Sequence, residues 1–191
     1  SNLLIKHSEN LLLNKEIEKI GHLFDCTNPK HNISEFFYIL SNLYSSENNY
    51  QMSNFYLKIS LLFNEKFLTN KALLAENLYY QKKYSSSKRI YNSLKSIGPI
   101  YSWYASKSIS SILLETKNKK SAIKNLEKDF NNITNKNFEH YYELANFYKD
   151  NNSYKEAIKY YSLALKKTEQ NHFLVHKILD RRGKSYERIG D

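Results

Sequence analysis

Small residues recur along this chain at a spacing of 34 or 35 residues. One series steps from Ser53 to Ser87, and then to Ala122 and Ala157. Self-similarity at a period of this length indicates a repeat architecture, in which each repeat is one supersecondary unit. The chain is therefore expected to be a stack of helical repeats, each of which contacts its neighbours.

The best-formed repeat starts at Phe138. Apolar or small residues fill positions 4, 7, 8, 11, 20, 24 and 27 of a 34-residue frame, namely Tyr141, Leu144, Ala145, Tyr148, Ala157, Tyr161 and Ala164. The first four share one face of a helix, and small residues at positions 8 and 20 allow two helices to cross closely. The run 150–153 between them has turn chemistry, with Ser153 as the expected N-cap.

These positions resemble those that define the tetratricopeptide repeat (TPR) family, and residues 181–191 are similar to the first helix and turn of TPR proteins from α-proteobacteria. The resemblance covers residues 33–191 and implies an all-α fold, a right-handed α–α superhelix or solenoid of helix–turn–helix repeats. The repeats are expected at about 33–66, 67–100, 101–136 and 137–172, with a partial repeat at 173–191. The third repeat is the weakest, because Ser106 and Asp129 stand where larger or apolar residues are usual.

Residues 1–32 are expected to form an N-terminal helical cap or a degenerate repeat. Ile17, Ile20, Leu23 and Phe24 would share one helix face, and residues 25–32 have the composition of a loop. Because the sequence starts at Ser1 and stops inside a repeat, we expect a fragment of a longer protein. The fifth repeat then leaves an apolar surface open, through which a homo-oligomer is possible.

Composition agrees with a helical chain, since 191 residues include only four glycines and two prolines. Average proteins have about 7% and 5% of these residues. The single Cys26 excludes an intramolecular disulfide, and a free cysteine is typically a small buried residue. No apolar run approaches the roughly 20 residues that cross a bilayer. The sequence does not distinguish a location in the bacterial cytoplasm from one in the periplasm.

The net charge of +10 is concentrated, because residues 67–136 alone carry +9. In the repeat frame these cations lie in turns, such as Lys82, Lys83 and Lys117–Lys120, or on second helices, such as Lys88 and Lys124. That placement favours a solvated outer face. Only four of the 29 basic residues are arginine, the type preferred for phosphate and base contacts. Binding of RNA or of an acidic partner by this patch remains the alternative.

No catalytic motif is present. The chain lacks a glycine-rich phosphate loop, a nucleophile elbow and a cysteine pair. His172, His176 and Asp180 have the spacing of one helix face and could bind zinc, but Phe-Leu-Val stands between the histidines where a catalytic glutamate is needed. We therefore expect no enzyme activity, no metal site and no cofactor.

The best candidates for function are the residues that the frame places on the inner face of the first helices. They are Tyr38, Asn42, Glu76, Tyr79, Tyr104, Lys107, Tyr142, Asn146 and Lys149, with Lys177 and Lys184 continuing the row. Tyrosine offers apolar area with a polar tip, and an asparagine amide can bond a peptide backbone at two points. Some of these tyrosines could instead pack between adjacent repeats.

The leading hypothesis is a protein–protein interaction scaffold that binds a partner protein or peptide in the concave groove of the solenoid. TPR proteins that bind chaperones hold a C-terminal carboxylate with Lys, Asn and Arg, but the equivalent positions here are mostly Tyr, Leu and Ser. That partner is therefore not predicted. The alternatives are nucleic-acid or acidic-surface binding through residues 67–136, and an accessory domain of a larger enzyme.

Overall fold

A computed structural model of the chain describes residues 2–16, 18–19 and 24–190. Over these residues the chain forms ten α-helices and no strand, which confirms the all-α prediction. The helices are α1 (Asn2–Leu13), α2 (Pro29–Ser46), α3 (Tyr50–Phe63), α4 (Leu68–Tyr80), α5 (Tyr84–Lys95), α6 (Pro99–Thr116), α7 (Lys119–Asn131), α8 (Phe138–Asp150), α9 (Tyr154–Lys167) and α10 (Val175–Ile189).

The chain divides into two compact units, Ser1–Thr116 and Lys117–Asp191. The N-terminal unit contains α1 to α6, and the C-terminal unit contains α7 to α10. Within them, the helices of the predicted hairpins α2/α3, α4/α5 and α8/α9 pack on each other. The division falls in the turn of the third repeat, which is the repeat that fits the sequence frame least well. The repeat boundaries themselves stay predictions.

The small residues of the repeat frame lie where the two helices of a hairpin cross. The pairs that meet there, each 0% exposed, are Ser41 and Ser53, Ala75 and Ser87, and Ala145 and Ala157. In the first two hairpins the second-helix serine donates to the carbonyl of its partner, at 2.8 Å and 2.7 Å. Side chains this small let the two helices approach closely, which is the role that the spacing predicted.

Each of the three hairpins has the same turn between its helices. The residue two places before the second helix is left-handed, with φ of 60° at Asn48, 58° at Lys82 and 57° at Asn152. The next backbone N–H then donates to a carbonyl five residues earlier, at 2.8–2.9 Å. Orphan carbonyls at the end of the first helix are satisfied in this way.

A tyrosine begins the second helix after each of these turns. Tyr50 and Tyr154 donate their hydroxyls to the side-chain oxygens of Asn48 and Asn152, both at 2.7 Å. Ser153 does stand at the N-cap of α9, but its side chain makes no capping hydrogen bond. The predicted N-cap position is therefore confirmed, but the side-chain hydrogen bond at this turn joins Tyr154 to Asn152 and does not involve the serine hydroxyl.

Helix α1 packs against α4 and α6, the first helices of the second and third repeats. Its His7 and Leu11 are buried, and the His7 ring meets the Tyr101 ring edge-on at 5.1 Å between centroids. Burial lowers the pKa of His7, against the opposite influence of Glu16. The turn after α1 repeats the left-handed geometry at Lys15, with φ of 59°.

The expectations for residues 17–32 have a mixed outcome. Ile17, Ile20 and Leu23 lie outside the described residues, and Phe24 is not helical. The predicted loop at 25–32 is wrong beyond residue 28, because the Asn28 side chain accepts the Lys30 N–H at 3.0 Å and Pro29 starts α2. Asparagine at the N-cap followed by proline is a strong helix start.

At the other end, α10 packs on α9 through Ile178 and Ser185. Leu179 and Tyr186, which the frame assigns to contact with a second helix, are 42% and 37% exposed. The predicted open apolar surface is therefore present on α10. Cys26 is exposed, contrary to the expectation of a buried thiol, because it lies in the turn before α2. No described helix has the length and apolar character of a membrane span.

Candidate functional site

The C-terminal unit has an open cavity of about 760 Å³ between α8, the start of α9, and α10. Its charged lining consists of Lys149, Lys177, Arg181, Lys184 and Arg188 together with Asp150, Asp180 and Glu187. Two ion pairs lie within this set, Lys149–Asp150 at 2.6 Å and Lys184–Asp180 at 2.9 Å. Since cations outnumber acids, the cavity is suited to a segment that carries negative charge.

A hydrogen-bonded cluster on Asn146 lies beside this cavity. The Asn146 Oδ1 accepts from Arg181 Nη1 at 2.5 Å and from the Tyr161 hydroxyl at 2.7 Å. The Arg181 guanidinium also lies over the Tyr142 ring, 5.5 Å from its centroid. Burial raises the pKa of Tyr161, while the nearby Arg181 acts in the opposite direction. The phenol is therefore neutral and serves as a donor.

This cluster changes what Asn146 and Tyr142 can do. An amide oxygen has two lone pairs, and both are used within the cluster. A two-point bond to a peptide backbone would therefore require Asn146 to give up a bond to Arg181 or to Tyr161. Tyr142 is only 9% exposed, so its ring packs within the unit and contributes little surface to the cavity.

The N-terminal unit has a smaller cavity of about 180 Å³ between α4, α5 and α6. We call it the tyrosine cup and define it by its lining, Glu76, Tyr79, Tyr80, Tyr91, Ser108 and Ser111. Glu76 Oε1 accepts the Tyr104 hydroxyl at 2.6 Å, and the Tyr104 and Tyr91 rings meet edge-on at 5.8 Å. Burial raises the pKa of both of these phenols, so they keep their protons.

The remaining predicted residues do not line either cavity. The Tyr38 ring packs against Phe67 at 5.0 Å between centroids, which is the packing role that the sequence left open. Asn42 is exposed, and its Nδ2 donates to the Tyr38 carbonyl of its own helix at 2.8 Å. Lys107 is half-buried on α6. Their roles in binding stay predictions.

The structure therefore gathers the predicted residues into two groups. In the C-terminal unit, Tyr142 and Asn146 both contact Arg181, which lines the same cavity as Lys149. In the N-terminal unit, Glu76 and Tyr79 line the tyrosine cup, and Tyr104 bonds Glu76. Sequence reasoning missed Arg181, although it lies one turn from the predicted Lys177 and Lys184. It also missed Tyr91, because the frame gave that aromatic position a packing role.

The histidine pattern does not form one helix face. His172 precedes α10, which begins at Val175, and its Nδ1 accepts the Leu174 N–H at 3.2 Å. Its ring also meets the Phe138 ring at 4.7 Å. In the part of the chain that the structure describes, no three His, Cys, Asp or Glu side chains lie where they could share a metal ion.

The basic residues of 67–136 are distributed over both units. Lys82 and Lys83 lie in the turn before α5, and Lys88 lies on α5, as the frame predicted. Lys119 and Lys120 were expected in a turn but form the first turn of α7, because Asn118 caps that helix by accepting the Ser121 N–H at 2.8 Å. Lysines there are unfavourably placed against the helix dipole.

The sequence matches no protein-family model and no curated protein. The structure is similar to a kinesin light chain-type protein of Podosopora anserina with nearly identical TPR-like repeats, at a TM-score of 0.59 and 13% identity, over 82% of this chain and 86% of that chain. It is also similar to BtubC (BKLC) from P. vanneervenii, at a TM-score of 0.58 and 12% identity, over 82% and 73%.

At such low identity these similarities show the fold alone. This chain has a TPR-like fold, as its repeat frame predicted. Nothing in the comparisons supports the α-proteobacterial resemblance of residues 181–191.

Proposed function

We propose that this chain is a scaffold without catalytic activity that binds a segment of a partner protein or peptide along the inner faces of its first helices. The observation that carries the proposal is the open cavity of the C-terminal unit. It is lined by Lys149, Lys177 and Lys184, three residues that the repeat frame of the sequence places on the inner face.

The charge of the cavity indicates the chemistry of the bound segment. Lys177 and Lys184 are exposed on α10, where their ammonium groups can reach a bound chain. Asp180 and Asp150 offset only part of the positive charge. We therefore expect a segment with acidic side chains, whose approach the excess positive charge accelerates.

The test uses the full 191-residue chain and a display library of random peptides. Selected peptides are synthesised, and their Kd values are measured by fluorescence anisotropy. We expect acidic residues to be enriched among them. The double variant Lys177→Ala/Lys184→Ala should weaken binding about tenfold, since each exposed ion pair contributes up to about 1 kcal/mol.

Lys155→Ala/Lys166→Ala is the matched control, because these two lysines are exposed on α9 and do not line the cavity. It removes the same charge and should change the Kd less than twofold. Equal weakening by the two double variants would mean that peptides respond only to net charge. Failure to select any saturable binder would contradict the proposal as a whole.

The alternatives from the sequence predict different behaviour. Binding of nucleic acid through residues 67–136 would be lost steeply as salt rises, because each phosphate contact releases counterions. A mobility-shift assay with a single-stranded RNA at low and high salt separates that hypothesis from peptide binding. The accessory-domain hypothesis, the resemblance of residues 181–191 to TPR proteins of α-proteobacteria, and self-association through the open face of α10 stay predictions.

A further inference from the structure

We infer that the tyrosine cup of the N-terminal unit binds one cationic side chain, a lysine or arginine of the partner segment. This inference rests on the proposed function for the source of that side chain. The cup itself is a separate cavity in a separate unit from the one that carries the proposed function.

Three hydroxyl protons at the cup, those of Ser108, Ser111 and the neighbouring Tyr104, are already committed. Ser108 donates to the Tyr104 carbonyl at 3.1 Å, and Ser111 donates to the Lys107 carbonyl at 3.2 Å. The Tyr104 hydroxyl donates to Glu76. Since each hydroxyl has a single proton, these groups offer lone pairs to the cavity. Together with the Glu76 carboxylate, these acceptors favour a ligand with several donors, such as an ammonium or a guanidinium.

The charge in the cup also favours a cationic ligand. Glu76 is the one charged residue of the cup lining, is half-buried, and forms no ion pair within the described part of the chain. A second carboxylate, Glu115, lies near the Tyr79 hydroxyl and contributes to raising the pKa of Tyr79, after burial. Partly buried negative charge without a cationic partner is unfavourable, and a bound cation would relieve it.

Size and aromatic character complete the argument. A volume of about 180 Å³ is below the roughly 300 Å³ at which drug-sized ligand pockets begin, so the cup holds about one side chain. Tyr79, Tyr80 and Tyr91 supply its aromatic walls, and Tyr80 is 61% exposed at the rim. Tyrosine ring faces attract ammonium and guanidinium groups, whereas an acidic or amide side chain gains no such contact.

The test titrates the full chain, with ¹³C-labelled tyrosine rings, with four blocked amino acids. The probes are the N-acetyl N-methylamides of lysine, arginine, norleucine and glutamine, and NMR reports the ring signals, assigned by Tyr→Phe substitution. We expect the lysine or arginine probe to shift the signals of Tyr79 and Tyr91 with a Kd on the order of 1 mM, typical of so small a ligand. Norleucine and glutamine should bind about tenfold more weakly or not at all.

Glu76→Gln is the diagnostic variant, because the glutamine oxygen can still accept the Tyr104 hydroxyl while the charge is lost. It should weaken the binding of the cationic probes about tenfold. Glu35→Gln is the matched control, since Glu35 is an exposed acid of α2 in the same unit, and it should leave the Kd unchanged.

Three outcomes would overturn the inference: equal binding of norleucine, no effect of Glu76→Gln, or no shift of the Tyr79 and Tyr91 signals at about ten times the expected Kd. Because these probes are single amino acids, the result does not depend on finding a peptide. If selected peptides bind through Lys177 and Lys184 while the probes fail, the cup inference is wrong and the proposed function stands. If no peptide binds but the probes do, the proposed function is wrong, and the cup remains a cation site.

Discussion

The helix crossings within the two hairpins of the N-terminal unit are polar, whereas the crossing within the α8/α9 hairpin of the C-terminal unit is apolar. Between α2 and α3 the crossing residues are Ser41 and Ser53, with Ser34 and Ser60 nearby, all 0% exposed. Between α8 and α9 the equivalent residues are Ala145 and Ala157, also 0% exposed. The repeat frame requires a small side chain at these positions, and both chemistries meet that requirement.

Hydroxyl groups at a buried helix crossing need hydrogen-bond partners, whereas methyl groups do not. Ser34 and Ser60 each donate to the other's backbone carbonyl, at 2.8 Å and 2.5 Å, and Asn70 donates to Ser60 Oγ at 2.5 Å. Asn77 donates to Ser53 Oγ at 2.7 Å and to Asn54 Oδ1 at 3.0 Å. A buried network of this kind stabilises the unit only while its members are paired.

The comparison separates steric fit from hydrogen bonding within a single chain. The C-terminal crossing has little room for a larger side chain, but it has no side-chain hydrogen bond to lose. The N-terminal crossing depends on partners that lie on three successive helices, α2, α3 and α4. Substitutions of different kinds should therefore be damaging in the two units, and four substitutions test this contrast.

The largest effect is expected from Asn77→Leu in the N-terminal unit. The substitution leaves the buried Ser53 and the half-buried Asn54 and Ser45 without the amide that they bond. An orphaned group costs about 1–3 kcal/mol when it is fully buried. We expect the free energy of unfolding in urea to fall by roughly 2–4 kcal/mol, with faster hydrogen exchange confined to the N-terminal unit. Asn42→Leu is the control, because Asn42 is exposed; a similar loss there would contradict the network.

A smaller effect is expected from Ala157→Leu in the C-terminal unit. The larger side chain would push α8 and α9 apart at Ala145, which overpacking studies place at about 1–3 kcal/mol. Thermal unfolding followed by circular dichroism measures the change. Lys155→Leu adds the same side chain on the exposed side of α9 and should have little effect. An unchanged melting temperature for Ala157→Leu would show that the frame of the fourth repeat is misplaced.

The smallest effect is expected when a crossing serine of the N-terminal unit is replaced by alanine and a crossing alanine of the C-terminal unit is replaced by serine. Ser87→Ala loses the bond to the Ala75 carbonyl and should cost about 0.5–1.5 kcal/mol. The reverse change, Ala157→Ser, should stay within about 0.5 kcal/mol, since the new hydroxyl can donate to the Ala145 carbonyl in the same way. Urea unfolding of both variants provides the measurement. A large loss for Ala157→Ser would mean that the crossings differ in geometry as well as in chemistry.

The repeats could be predicted from the sequence because their evidence is local and periodic. Ala145 and Ala157 are 12 residues apart in one hairpin, and the pattern returns every 34 or 35 residues. The packing of α1 on α4 and α6 could not be predicted, because no periodic pattern links His7 to Tyr101. Asn28 is a recognisable N-cap before Pro29, but the polar run around it favoured a loop.

The candidate sites were predicted only in part. The frame placed Glu76 and Tyr79 on the inner face, but the tyrosine cup also needs Tyr91 from α5 and Ser108 from α6. Whether a groove asparagine has bonding capacity left depends on neighbours that are distant in sequence. For Asn146 that neighbour is Arg181, 35 residues later.

The left-handed turns also identify a position, residue 82, at which a substitution should stabilise the chain. Lys82 adopts the conformation that Asn48 and Asn152 adopt, although asparagine tolerates it much better than lysine. Asparagine at position 82 would also offer Tyr84 the side-chain oxygen that Tyr50 and Tyr154 already use. The best-formed turns of this chain thus provide a consensus for the others. A more stable variant can therefore be designed by placing the residues of the best-formed turns at the equivalent positions of the other turns.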